Sequence, residues 1–221
     1  MRIFSSVIVV TVACLSVGTA IAQDKNSGYL GNNYSKLQDV ISPSGEKAKR
    51  WVAPEMVPGK YDKILLEKSV LYPEADGSDQ VSAATLMEIT AYLDVALRRE
   101  LGGAAVQFAT EPGPTTLRIK PAITATASKD QGLKPRQLIP VAFVIAMAKK
   151  ASGNAPKEAT ISIEYEVRDS LTNDLVAVGL REGTGRKLDK PTDRVTLDAV
   201  KSVIDGWAKD ARMLIQPKPK Q

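Results

Sequence analysis

The 221-residue sequence has no histidine, and its only cysteine is Cys14. Zinc, copper, haem and iron–sulfur ligand sets built on imidazole and thiolate are therefore excluded, as are Ser-His and Cys-His nucleophiles. What chemistry remains must be carried by carboxylates, lysine, tyrosine and serine. Aromatic residues are scarce at 5%, but hydrophobic residues make up 43% and charged residues 25%, which is the balance of a globular protein of one domain or at most two small ones.

The N-terminus reads as an export leader. Arg2 precedes an uncharged apolar core from Ser5 to Val17, and Ala20-Ile21-Ala22 gives the small-x-small pattern of a signal-peptidase site ahead of Gln23-Asp24-Lys25. The core is too short to span a bilayer comfortably. Cleavage after Ala22 releases a chain that begins at Gln23, contains no thiol and carries a formal charge of +4, one less than the +5 of the whole sequence because Arg2 is lost. An alternative is lipidation at Cys14, preceded by the small residues Val12-Ala13, although Thr11 stands where an aliphatic residue is usual. Both routes place the protein outside the cytoplasm, periplasmic or associated with the outer membrane.

Residues 23–60 show no sustained period, and read as an irregular arm whose few large residues, Tyr29, Leu30, Tyr34, Leu37 and Trp51, dock onto the domain. A single domain is expected over 61–215, followed by a polar tail at 216–221. Ile64 to Leu71 predicts an interior strand. Leu86, Ile89, Leu93, Leu97 and Leu101 recur at helical spacing between a capping Ser82 and Gly102-Gly103. Val106 and Phe108 mark a short strand. Leu117 to Ala127 alternates as a long one with a wet face, and Pro121 within it points to an edge or a bulge. The apolar run Leu138 to Ala148 reads as a helix, buried or docked on a surface, so that Leu138, Val141, Phe143 and Ile145 form a candidate interaction surface. Residues 160–180 predict a hairpin about Thr172-Asn173-Asp174. Val200, Val203, Ile204, Trp207, Ala208, Ala211, Leu214 and Ile215 form the stripe of a last helix. This order predicts an α/β (α+β) two-layer sandwich, with a mixed, mainly antiparallel sheet and helices on one face.

Three patterns bear on chemistry. Glu164 and Glu166, two apart on a strand, project from one face about 7 Å apart. Paired carboxylates of this kind, here with Asp169 nearby, are what glycoside hydrolysis uses, but Thr160, Ser162 and Arg168 share their parity, and the pair reads more simply as part of a solvated face. Ser44-Gly45-Glu46-Lys47 matches Ser-x-x-Lys without the companion motifs of penicillin-recognising enzymes. Gly183-Thr184-Gly185-Arg186-Lys187 lacks the strand-to-helix setting of a phosphate loop and reads as a turn. Basic clusters at Lys47, Lys49 and Arg50, at Lys149-Lys150, and at Arg186 to Arg194 would suit nucleic acid in a cytoplasmic protein; export redirects them to envelope polyanions or to a solvated surface.

Ser27-Gly28-Tyr29-Leu30 with Tyr34-Ser35-Lys36-Leu37, Trp51 to Tyr61-Asp62-Lys63, Leu138-Ile139-Pro140-Val141, Glu164-Tyr165-Glu166 to Arg168-Asp169-Ser170, and Trp207-Ala208 together resemble the bacterial envelope lipoprotein family of domain of unknown function 3313. The resemblance implies an envelope protein without a known activity. The expectation is thus a non-enzymatic binding or interaction module with no cofactor, no metal and no catalytic residue. Its partners are expected to be an envelope protein or polymer, with peripheral membrane association, no transmembrane span in the mature chain and no nucleic acid. The alternative is a carboxylate-dependent hydrolase of glycan or cell wall.

Overall fold

The computed structural model describes residues 26–57, 59–74, 76–77, 81–104, 106–124, 144–146, 158–188 and 194–215. The leader with Ala20, Ala22, Gln23 and Cys14, the tail 216–221, and most of the run containing Leu138, Val141 and Phe143 lie outside the described residues. The elements are β1 (Gln38–Ile41), β2 (Lys47–Val52), β3 (Lys63–Leu66), β4 (Val70–Tyr72), α1 (Ala83–Gly102), β5 (Gln107–Phe108), β6 (Thr116–Thr124), β7 (Val144–Ala146), β8 (Glu158–Asp169), β9 (Leu175–Lys187) and α2 (Leu197–Ile215), with a 3-10 turn over Gly31–Lys36. Nine strands form one mixed sheet in the order β1-β2-β9-β8-β6-β3-β5, with β4 continuing along β6 and β7 along β8. The class is α+β, as the alternation and helix patterns predict.

Both helices pack on one face of the sheet. Ser82 caps α1 by accepting a hydrogen bond from the Thr85 N–H, and the predicted stripe from Leu86 to Leu101 is buried throughout. On α2, Val200, Ile204, Trp207 and Ala208 are buried, whereas Leu214 is exposed. These side chains meet Ile64, Leu66, Ile119, Ile123, Ile161 and Ile163 in one core. Outside it, the Tyr92 hydroxyl (2.6 Å) and Arg99 (2.9 Å) of α1 donate to the Asp205 carboxylate of α2 and tie the helices together, and Lys201, one turn before Asp205 on α2, also donates to it (2.9 Å). Partial burial alone would raise the Asp205 carboxyl; the Tyr92, Lys201 and Arg99 hydrogen bonds outweigh it and hold it at about 2.

Four expectations are corrected. The arm is not irregular throughout: β1 and β2 form a hairpin that extends the sheet by pairing with β9, and their mixed exposure masks the two-residue period. The single strand expected from Ile64 to Leu71 is two strands separated by Glu67-Lys68-Ser69. Pro121 is neither at an edge nor, among the paired residues of β6, at a bulge, because β6 pairs on both sides. The Ile119 carbonyl accepts from Glu67 N–H on the β3 side, and groups two residues on point the same way. Proline's missing N–H therefore faces the break between β3 and β4. Finally, residues 144–146 of the expected helix are strand β7, with Ile145 opposite Ala159 of β8; a short apolar run fits either structure.

Candidate functional site

The face of the sheet turned away from the helices holds the chemistry. Across β6 and β8, Arg118 stands opposite Arg168, Lys120 opposite Glu166, Ala122 opposite Glu164 and Thr124 opposite Ser162. Ile161 and Ile163, of the other parity, face the helical core. The predicted wet strand face is therefore present, and Arg118 and Lys120 on it are partly exposed, but its other end is closed to solvent. Glu164 is 1% exposed and Thr124 is fully buried.

The cover is the segment 26–37. Leu30, 2% exposed, is buried in this segment. Tyr29 donates to the Lys120 carbonyl (3.3 Å), its ring meets Tyr72 edge-on at 5.5 Å, and Gly28 turns the chain beside Tyr72 at φ +93°. Tyr34 donates to Glu164 Oε2 at 2.5 Å, Asn33 Nδ2 donates to Glu166 Oε1 at 3.1 Å, and the Lys36 ammonium lies 4.7 Å over the Trp51 ring. These residues form a strap from β2 to β4 across the back of the sheet. Burial and the hydrogen bond to Glu164 push the Tyr34 phenol up to about 12; burial, then the charges of Glu166, Glu67 and Glu164, do the same to Tyr29.

The remaining back-face charges pair locally. Glu67 lies 3.7 Å from Arg118 and 3.6 Å from Lys120, and Arg168 donates to Glu166 at 3.1 Å. Asp169 closes the β8–β9 turn by accepting from Leu171 N–H (3.0 Å) and Thr172 N–H (3.2 Å), with Tyr61 on its other oxygen at 3.0 Å. Partial burial works against its charge, but those backbone donors and Tyr61 hold its carboxyl below the usual range. The Glu164–Glu166 pair is thus clamped under the strap, and Asp169 is a turn-forming residue. Replacing Tyr34 by phenylalanine removes the one hydrogen bond on a buried carboxylate, and is expected to cost about 2 kcal/mol in urea denaturation. A cost below about 0.5 kcal/mol would mean that the strap does not hold Glu164.

On the helix side a second polar cluster joins three elements. Arg181 of β9 donates to Asp210 Oδ2 of α2 at 2.6 Å. Ser44, from the turn between β1 and β2, donates to the same oxygen at 2.7 Å, and Arg181 Nη2 donates to Ser42 at 3.3 Å. The serine of Ser-x-x-Lys is therefore engaged by a buried aspartate. Gly183-Thr184-Gly185-Arg186-Lys187 is not a turn but the end of β9, where Arg186 pairs with Asp198 at 2.6 Å in the open. Sequence reasoning expected Tyr29, Leu30 and Tyr34 to dock onto the domain, and they do, but it did not foresee Glu164 as the partner of Tyr34 and it missed Asn33, Arg181 and Asp210.

A family model described as protein of unknown function (DUF3313) matches residues 25–211. The uncharacterized lipoprotein YdcL of Escherichia coli is 33% identical over 190 residues, covering 86% of this chain and 85% of the relative. Among solved structures, protein XCC0632 from Xanthomonas campestris is similar at 13% identity and a TM-score of 0.39, over 74% of this chain and 87% of that one. The PelC dodecamer from Paraburkholderia phytofirmans is similar at 11% identity and a TM-score of 0.35, over 74% and 96%.

Proposed function

The chain belongs to the DUF3313 family of proteins of unknown function, and on that basis we propose that it is an exported protein of the bacterial cell envelope, acting as a non-enzymatic binding or interaction module. The leader and the lipoprotein relative support export. Among the described residues no helix is long and apolar enough to cross a membrane. The observation that carries the non-enzymatic reading is the burial of Glu164 under Tyr34: a general acid must reach its substrate, whereas this carboxylate is sealed behind the chain's own N-terminal strap. Attachment follows from processing, with a free Gln23 giving a soluble protein and a lipidated Cys14 an anchored one.

Two readouts on fractionated cells test this reading. Mass spectrometry of the chain from the envelope fraction should find an N-terminus at Gln23 or a lipid-modified Cys14, and an intact Met1 in the cytosol would contradict export. The immobilised mature chain should retain an envelope protein or polymer above a bare-matrix control, and retention of nothing would contradict the binding role.

A further inference from the structure

Several carboxylates lie on the strap side of the sheet: Glu67 pairs with Arg118 and Lys120, Glu166 pairs with Arg168, and Glu182, opposite Ser162, is exposed. Glu164, the most buried of them at 1% exposure, has no ion-pair partner among the described residues. Its Oε2 accepts from the Tyr34 hydroxyl, while its Oε1 is buried with no hydrogen-bond partner. The same holds for Thr124 Oγ1, on a residue that is fully buried. The strand register places these two residues diagonally on one face of the sheet. Thr124 stands opposite Ser162, and Glu164 is two residues along β8 on the same face. Diagonal neighbours on a sheet have Cβ atoms about 7 Å apart, a gap that a glutamate side chain reaches across. Ser162, 6% exposed, adds a third side-chain oxygen to the patch.

A carboxylate taken out of water without a countercharge is costly, and buried charges are accordingly paired or bound to ions. One hydroxyl donor leaves the Glu164 charge largely uncompensated. We propose that Glu164, with the Thr124 and Ser162 hydroxyls, forms a binding site for one monovalent alkali cation, sodium or potassium, beneath the N-terminal strap. A single carboxylate among neutral oxygens matches one positive charge; a calcium-type ion takes six to eight oxygens, several of them usually from carboxylates. The cation supplies the countercharge that lets the strap close over Glu164. This site stands on the burial of Glu164 and Thr124, whether or not the chain is a binding module in the envelope.

Thermal unfolding of the mature chain at fixed pH and constant ionic strength tests the site, with choline chloride replaced stepwise by sodium or potassium chloride. A ligand that binds only the folded state raises Tm with its concentration, so a rise of about 4 °C or more between 5 and 150 mM of one alkali cation is expected. Thr124→Val keeps the side-chain shape, removes one oxygen, and should cut that response at least by half; Glu164→Gln should abolish it. If Glu164→Gln does not fold, Thr124→Val alone decides. Superimposable melts in sodium, potassium and choline would overturn the proposal and leave a proton or water to satisfy Glu164. An undiminished response in folded Thr124→Val would equally overturn it.

Discussion

Replacing Gly185 with alanine is expected to lower the unfolding free energy by about 3 kcal/mol or more, at the upper end of the cost of overpacking. A Cβ at Gly185 would lie 2.0 Å from the Ala199 carbonyl oxygen and 3.0 Å from its carbon. Both atoms are backbone in the first turn of α2, so no rotamer change relieves the clash, and the helix must move. Two residues earlier, a Cβ at Gly183 would meet Val203 Cγ1 at 2.3 Å and Trp207 Cζ2 at 3.1 Å. The two glycines thus let α2 lie directly against β9. Gly206 is the control, because a Cβ there meets nothing within 4 Å and Gly206→Ala in the helix interior should stabilise by up to about 1 kcal/mol. Urea denaturation of the two variants checks both values; equal stability of Gly185→Ala and the parent chain would mean that helix and strand are not in this contact.

Removing the Asp210 carboxylate should cost about 3–5 kcal/mol, the penalty for stranding a buried charge. The Asp210 and Arg181 side chains are 1% and 9% exposed, so the Arg181 guanidinium left behind in Asp210→Ala has little access to water. The loss should also loosen the β1–β2 hairpin, because Ser44 donates to the same carboxylate oxygen and Arg181 donates to Ser42. Asp210→Leu combined with Arg181→Met should recover most of the lost stability, since an apolar pair of similar volume replaces two desolvated charges. A cost under about 1 kcal/mol for Asp210→Ala would show that the pair is hydrated.

Much of this architecture was legible in the residues. The α1 stripe and its Ser82 cap, the β8–β9 hairpin and the apolar face of α2 follow from local periodicity and capping, because each element's pattern agrees with its burial. The glycine-rich stretch at 183–187 was misread as a turn for a physical reason: glycine marks a loop or a close backbone approach equally well, and only the position of α2 tells them apart. The candidate site was half legible. Alternation on β8 correctly put Glu164 and Glu166 on one face, and the large residues of the arm were expected to dock on the domain, but local sequence does not say which face they cover. The cover comes from Tyr34, 130 residues away along the chain, and the short strap has no period of its own. Asp210 was hidden for a similar reason, since a charge in the last helix reads as solvent-exposed unless its partner on β9 is known.

The account rests on Glu164 being sealed beneath the strap, and carboxyl footprinting measures this directly. Carbodiimide-driven amidation of the native mature chain, read by peptide mass spectrometry, should modify the exposed Glu182 readily and leave Glu164 unmodified. Tyr34→Phe should bring Glu164 labelling up toward the Glu182 level. Glu164 labelled as fast as Glu182 in the native chain would contradict the account and reopen the carboxylate pair as an accessible site.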